Sequence, residues 1–92
     1  MWEVEYTKQF KKDYKRCKKR GLLPAGLEAV IGTLVDGKLL AEKHRDHPLK
    51  GNYVHHRECH IQPDWLLIYQ KIEALRILRL VRTGTHGDLF DE

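Results

Sequence analysis

The sequence predicts an α+β fold: an N-terminal strand, a two-helix hairpin, and then antiparallel strands that form one twisted sheet with the helices on one face. Three observations predict it. Apolar and charged residues alternate at the N-terminus, two amphipathic helical stripes follow, and the apolar period changes to two after Asn52. The 92 residues suffice for one domain, residues 1–92.

The first half of the chain predicts a strand over residues 2–6, followed by two helices. Thr7 can cap the first helix, whose apolar face is formed by Phe10, Tyr14 and Cys17. Eight Lys or Arg residues in positions 8–20 give this helix a basic outer face, and Gly21 ends it. Pro24 suits the start of the second helix, and its stripe comprises Leu27, Val30, Ile31, Leu34 and Val35.

The second half predicts a long ordered loop over residues 38–51 and then strands. From Asn52 alternation would place one set of side chains on a single strand face: Val54, His56, Glu58, His60 and Gln62. Pro63-Asp64 predicts a turn, residues 65–69 a buried strand, residues 71–74 a reverse turn and residues 75–81 a further strand. The tail, residues 86–90, is long enough for one helical turn.

The net charge, the apolar pattern and the two cysteines limit the expected partners and compartment. Lys and Arg exceed Asp and Glu by four and the sequence pI is near 9.2, which predicts a polyanionic partner, either nucleic acid or an acidic protein. The chain has no apolar run long enough to span a membrane and no signal-peptide pattern, so we expect a cytoplasmic protein. Cys17 and Cys59 fit small buried thiols better than a disulfide.

Three histidine-bearing segments are the candidates for a working site. His60 and Asp64 flank the predicted turn, His47 lies in the loop before it, and His86 follows the last strand. Imidazole is suited to proton transfer because its ordinary pKa, about 6.5, lies near working pH. We therefore predict that His47, His60 and His86 meet in one cleft, and that the other three histidines are surface or hydrogen-bonded residues.

Three stretches carry a family resemblance: residues 46–51 (Asp-His-Pro-Leu-Lys-Gly), residues 57–69 (Arg-Glu-Cys-His-Ile-Gln-Pro-Asp-Trp-Leu-Leu-Ile-Tyr) and residues 82–90 (Arg-Thr-Gly-Thr-His-Gly-Asp-Leu-Phe). Together they resemble the YafQ branch of the RelE/ParE toxin superfamily. The resemblance implies a type II toxin that cleaves messenger RNA in the ribosomal A site, in contact with ribosomal RNA, and is silenced by a DinJ-like antitoxin in a hetero-oligomer. Its functional positions would be His47, His60, Asp64, Trp65, His86 and Phe90.

The roles follow from the chemistry of RNA cleavage. We assign His60 as the base, oriented or assisted by Asp64, and His86 as the acid, while His47 contacts the scissile phosphate or substitutes in one proton transfer. These histidines and Asp64 suffice for the proton transfers, so we expect no cofactor. A zinc or manganese site built from the histidines and nearby aspartates is the alternative, but no helical His pair has metal-ligand spacing, so we expect no metal.

Substrate contacts are predicted from shape and charge. Trp65 and Phe90 offer flat faces for unstacked bases, although core packing is the stronger default for Trp65 on its neighbours alone. Arg82 could clamp a phosphate bidentately, and Lys50 lies beside His47 in the loop. The basic helix, with Lys11 and Lys15, could follow RNA phosphates, meet an acidic antitoxin, or simply be solvated.

Two function classes remain open at this point. The first is the endoribonuclease. The second is a binding protein on the same fold, either a toxin acting on a protein target such as gyrase or a non-catalytic RNA-binding module. The histidine set favours the enzyme, since a protein that binds gyrase has no need of convergent imidazoles.

Overall fold

The computed structural model describes residues 1–90, which form eight helices and strands in the predicted α+β order. They are β1 (Glu3–Tyr6), α1 (Lys8–Lys19), α2 (Pro24–Val35), β2 (His47–Pro48), β3 (Arg57–Gln62), β4 (Trp65–Ile72), β5 (Ile77–Gly84) and α3 (His86–Phe90). Short 3-10 turns at Glu42–His44, Gly51–Tyr53 and Glu73–Leu75 connect them.

The five strands form one mixed sheet in the order β1-β5-β4-β3-β2. The predicted antiparallel pairing is confirmed from β3 to β5, whereas β1 lies parallel to β5. Residues 47–48, predicted as part of a loop, instead form the short strand β2, because they pair antiparallel with Arg57 and Glu58. The parallel pair follows from the helical hairpin, because a crossover is needed to bring two strands side by side in the same direction. Strand β5 therefore lies between the N-terminal strand and the long β3–β4 hairpin.

The larger core lies between the two long helices and one face of the sheet. Thr7 caps α1 as predicted, since its Oγ1 accepts a hydrogen bond from the backbone N–H of Phe10 at 2.9 Å. The buried helical side chains meet alternate residues of β3, β4 and β5: Cys59, Trp65, Leu67, Tyr69, Leu78 and Leu80. Both cysteines are buried free thiols, as expected, and burial raises the pKa of each.

A second, smaller core lies on the opposite face of the sheet. Leu66 and Ile68 of β4 and Leu89 of α3 form it, and Phe90 packs against it from the end of α3. Strand β4 is thus covered on both faces, which explains its unbroken apolar sequence. The long helices leave the rest of this second face open.

Several predicted boundaries move. Strand β3 begins at Arg57 rather than at Asn52, because residues 51–53 form a 3-10 turn and His55 has a left-handed φ of 69°. Strands β4 and β5 run to Ile72 and Gly84, each beyond its predicted end. Long antiparallel pairing between them outweighs the local turn signals. No helix among residues 1–90 is long and apolar enough to cross a membrane.

Candidate active site

A buried carboxylate lies between two histidines on the open face of the sheet. His47 of β2 pairs with Glu58 of β3, and strand alternation puts His60 on the same face as Glu58. The Oε1 atom of Glu58 lies 3.6 Å from Nε2 of His47 and 3.4 Å from Nε2 of His60. Glu58 is 5% exposed, so this charge lies close to both rings with little competing water.

The third histidine comes from the segment that follows the last strand. His86 begins α3 immediately after β5, and its ring centroid lies 5.7 Å from that of His60. The centroids of His47 and His60 are 6.4 Å apart. The three imidazoles therefore line one patch, with His60 in the middle, as the sequence predicts.

Asp64 orients His86 and not His60, which corrects the predicted partnership. From the β3–β4 turn its Oδ1 accepts hydrogen bonds from the backbone N–H of His86 at 2.9 Å and from ring Nδ1 at 2.7 Å. These bonds, the backbone one first, lower the pKa of the Asp64 carboxyl below its ordinary value. An ionised carboxylate only accepts, so Nδ1 of His86 carries a proton and Nε2 is the nitrogen left for chemistry.

A similar bond fixes the ring of His47. Its Nδ1 donates to the backbone carbonyl of Arg45, which can only accept, and Nε2 is therefore the ring nitrogen that faces Glu58. The loop that carries both residues is anchored by Asp46, whose carboxylate accepts hydrogen bonds from the Tyr69 hydroxyl and from Nε of Arg57 at 3.2 Å. This anchor holds the loop against the sheet beside β3.

Two aspartates, one in α1 and one in α3, hold the segment that leads to His86. Asp13, 1% exposed, accepts from Nε and Nη2 of Arg82 at 3.0 and 3.1 Å and from the backbone N–H of Thr83 at 3.2 Å. Asp88 of α3 contacts Arg20 at 2.6 Å, and this bond lowers the pKa of its carboxyl to about 2.

Gly84 lies where the strand turns into α3, and its lack of a side chain is required. A Cβ at this position would lie 2.9 Å from Oδ2 of Asp88. The same Oδ2 accepts the backbone N–H of Thr85 at 3.0 Å. The glycine therefore lets Asp88 fold back on the strand end, which fixes where the helix of His86 starts.

The structure places the predicted substrate-contact residues in different environments. The structure corrects the prediction for Trp65: the indole is 1% exposed and donates from Nε1 to Oγ1 of Thr83 at 2.8 Å, so core packing describes it. Arg82 is corrected too, because the guanidinium edge that would clamp a phosphate is already occupied by Asp13. Phe90 is half-buried on the open face, with its ring 6.0 Å from that of Tyr53.

The predicted lysine contacts lie in two places. Lys50 is exposed in the loop after β2. Lys11 and Lys15 border a groove between α1 and α2, on the opposite side of the sheet from the histidines. The structure therefore does not bring these two lysines to the histidine patch.

Glu58 and Tyr53 are candidate site residues that were not predicted from the sequence. The signal for Glu58 was present, since it alternates with His60 on a strand and must share its face. Tyr53 lies in a 3-10 turn with no periodic pattern, and no sequence signal identifies it as the neighbour of Phe90.

Glu58, His60 and His86 could also hold a metal ion. One ligand atom from each lies within 4.8 Å of the others, and imidazole and carboxylate are ordinary ligands for zinc or copper. Helical His pairs, the spacing on which the sequence-based expectation of no metal depends, are not involved, because these donors come from β3 and from the start of α3. The donor set fits a metal through the same atoms that proton transfer would use.

Comparison with known proteins identifies the family of this chain. The family model "Bacterial toxin of type II toxin-antitoxin system, YafQ" matches residues 2–91. The mRNA interferase toxin YafQ of Escherichia coli (strain K12) is 39% identical over 89 residues, 96% of this chain and 95% of that protein. The crystal structure of a metal-bound toxin from Helicobacter pylori matches with TM-score 0.92 and 44% identity, covering 98% of this chain and 100% of that one.

The crystal structure of the E. coli DinJ–YafQ complex contains a chain that matches with TM-score 0.89 and 36% identity, covering 98% of this chain and 99% of that one. The family model and the relatives span almost the whole length, and the site lies within the matched residues. The chain therefore belongs to the YafQ family of bacterial toxins from type II toxin–antitoxin systems.

Proposed function

We propose that this chain is an mRNA interferase, an endoribonuclease that cuts messenger RNA in the ribosomal A site by general acid–base catalysis without a metal ion. The observation that carries the proposal is the meeting of three imidazoles and a buried carboxylate on the open sheet face. The name of the E. coli relative, an mRNA interferase toxin, supports the same activity. The whole chain would act as one domain.

His60 is the general base in this mechanism. It takes the proton from the 2′-hydroxyl, and O2′ then attacks the adjacent phosphorus. The imidazolium so formed lies 3.4 Å from Oε1 of Glu58, a carboxylate that stabilises the positive charge in a nearly dry position. A well-placed base contributes about 10²–10⁴-fold in rate.

His86 is the general acid. Asp64 holds its Nδ1–H, so the protonated ring presents Nε2–H to the leaving 5′-oxygen as the bond from phosphorus to that oxygen breaks. The products are a 2′,3′-cyclic phosphate and a free 5′-hydroxyl, and the two histidines have exchanged protonation states. His47 is the most exposed of the three, and in its protonated form Nε2–H would be the donor to a non-bridging phosphate oxygen, because Nδ1–H is held by the Arg45 carbonyl.

Base contacts come from the aromatic pair at the edge of the patch. Phe90 and Tyr53 meet edge to face with centroids 6.0 Å apart on the same face as the histidines. Such rings stack on unpaired bases in single-stranded RNA. Lys50 adds a positive charge for the backbone of the message.

Partners of two kinds fit the remaining surface. Lys11 and Lys15 lie across the sheet from the cut, which favours contact with ribosomal RNA or with an antitoxin over contact with the scissile phosphate. A DinJ-like antitoxin in a hetero-oligomer is the partner that the E. coli complex supports. A toxin that acts on ribosome-bound messages would act in the cytoplasm.

Primer extension on messenger RNA in a translating extract tests the proposal. The wild-type protein should give discrete cuts, and these should vanish with His60→Ala and with His86→Ala. His55→Asn is the matched control, because His55 lies outside the patch and asparagine tolerates its left-handed φ of 69°, and this variant should cut normally. Growth arrest with intact message would contradict the nuclease and support a binding toxin.

A further inference from the structure

A cationic cavity adjoins the histidine patch and shares His60 with it. It has a volume of about 380 Å³ and is lined by Lys43, His44, Arg45, His60, Ile61, Gln62 and Pro63. Strand β2 pairs only with Arg57 and Glu58, so among residues 1–90 the far half of β3 has an open outer edge. The 3-10 turn Glu42–His44 lies against this edge and forms the outer side of the cavity.

The cavity carries positive charge that the described part of the chain does not neutralise. Within residues 1–90 neither Lys43 nor Arg45 lies within 4.0 Å of a carboxylate, although Arg16, Arg20, Arg57, Arg79 and Arg82 all do. Arg45 also adopts a left-handed φ of 47°, a conformation that side-chain-bearing residues rarely take. The cavity therefore has two cationic side chains, Lys43 and Arg45, without a carboxylate partner among residues 1–90.

His44 ties the cavity wall to the catalytic strand. Its Nδ1 lies 2.7 Å from the backbone carbonyl of His60, which can only accept, so Nδ1 carries the proton. His60 is common to the cavity and to the histidine patch. A ligand in the cavity therefore lies against His60, the residue proposed as the general base.

We infer that this cavity binds the phosphate next to the scissile one in single-stranded RNA, through Lys43 and Arg45, while Ile61 and Pro63 offer an apolar wall to the attached ribose or base. The inference rests on the proposed nuclease function and adds a subsite to it. Arg binds phosphate by paired hydrogen bonds and Lys binds it as a point charge. An anion with a continuous backbone suits a cavity that opens onto the catalytic residues.

The first measurement is single-turnover cleavage of a message on programmed ribosomes with Lys43→Ala/Arg45→Asn. Asparagine is chosen at position 45 because it tolerates the left-handed backbone. We expect the half-saturating toxin concentration to rise roughly ten-fold, with the rate at saturation unchanged. Lys38→Ala is the matched control, an exposed lysine outside the cavity, and it should behave as wild type.

The second measurement separates the message from ribosomal RNA. A neutral methylphosphonate replaces, in turn, the message phosphate on each side of the scissile one. On one side the modification should weaken the wild-type protein about as much as the double substitution does. Combined with the double substitution, it should then add little further loss, because both changes remove the same contact.

Additive losses at both positions, or an unchanged half-saturating concentration, would overturn the subsite. A lower rate at saturation with an unchanged half-saturating concentration would also overturn the subsite. That result would mean that the 3-10 turn Glu42–His44 only positions His60. If wild-type protein left the unmodified message uncut, the nuclease proposal itself would fail, and the two failures are thus told apart.

Discussion

Replacing Asp13 by asparagine tests how the fold holds the strand end that leads to His86. Both carboxylate oxygens of Asp13 are used: Oδ1 accepts from Gln9, Arg16 and Arg82, and Oδ2 accepts from Arg82 and from the Thr83 N–H. Asparagine keeps one acceptor and turns an NH₂ group toward donors. It also leaves Arg82, which is three-quarters buried, without its counter-charge.

The expected loss of stability is large. Removing one partner of a buried ion pair costs about 3–5 kcal/mol, against a total of about 5–14 kcal/mol for a domain of this size. With a urea m-value of about 1.5 kcal/mol/M, the midpoint should fall by about 2–3 M. The fluorescence of Trp65, buried beside Thr83, reports the transition in urea.

Asp36→Asn is the control for this substitution. Asp36 is exposed at the end of α2, and its side chain makes no hydrogen bond among the described residues, so its loss should cost less than about 0.5 kcal/mol. A cost for Asp13→Asn below about 1 kcal/mol, with the m-value unchanged, would refute the view that this buried carboxylate holds Arg82 and Thr83 together.

Three further predictions concern the site and its support. Glu58→Gln should slow cleavage at least about ten-fold while the protein stays folded, checked by single-turnover kinetics and circular dichroism; an unchanged rate would remove Glu58 from the mechanism. Because the pKa of Asp88 falls from 3.8 to about 2 on folding, its stabilisation is complete above pH 3.8 and is lost as pH falls toward 2. Asp88→Asn should therefore cost about 1 kcal/mol at pH 7, less than the full shift implies since water screens Arg20, and the cost should disappear near pH 2 in urea titrations. Zinc or copper should inhibit cleavage by occupying His60 and His86, and a chelator should leave the metal-free rate intact; loss of activity in the chelator would contradict the mechanism.

The sequence predicts the order of elements well because the local signals are strong. The cap at Thr7, Pro24 at the start of α2 and the uninterrupted apolar run of β4 each depend on a few neighbouring residues. Strand limits depend on pairing partners far along the chain, which is why β4 and β5 end later than predicted. The parallel direction of β1 is likewise a property of the whole topology.

The site, like the fold, could be predicted from the sequence only where local motifs determine it. The motifs identify which histidines meet, but not which carboxylate each one uses. Asp64 is close to His60 in sequence, yet the β3–β4 turn points it across to His86. Glu58 reaches His60 simply by sharing a strand face. Trp65 and Arg82 were misassigned because their neighbours in sequence do not reveal Thr83 and Asp13, their contacts in the fold.

The most direct test of the mechanism uses a message in which sulfur replaces the leaving 5′-oxygen at the cut. A thiolate leaves without a proton, so an enzyme that lacks only its general acid should recover. We predict that His86→Ala loses about 10²-fold or more on the oxygen message but cuts the sulfur message within about ten-fold of wild type, whereas His60→Ala stays slow on both. Equal impairment of His86→Ala on both messages would contradict the assignment of acid and base on which the account depends.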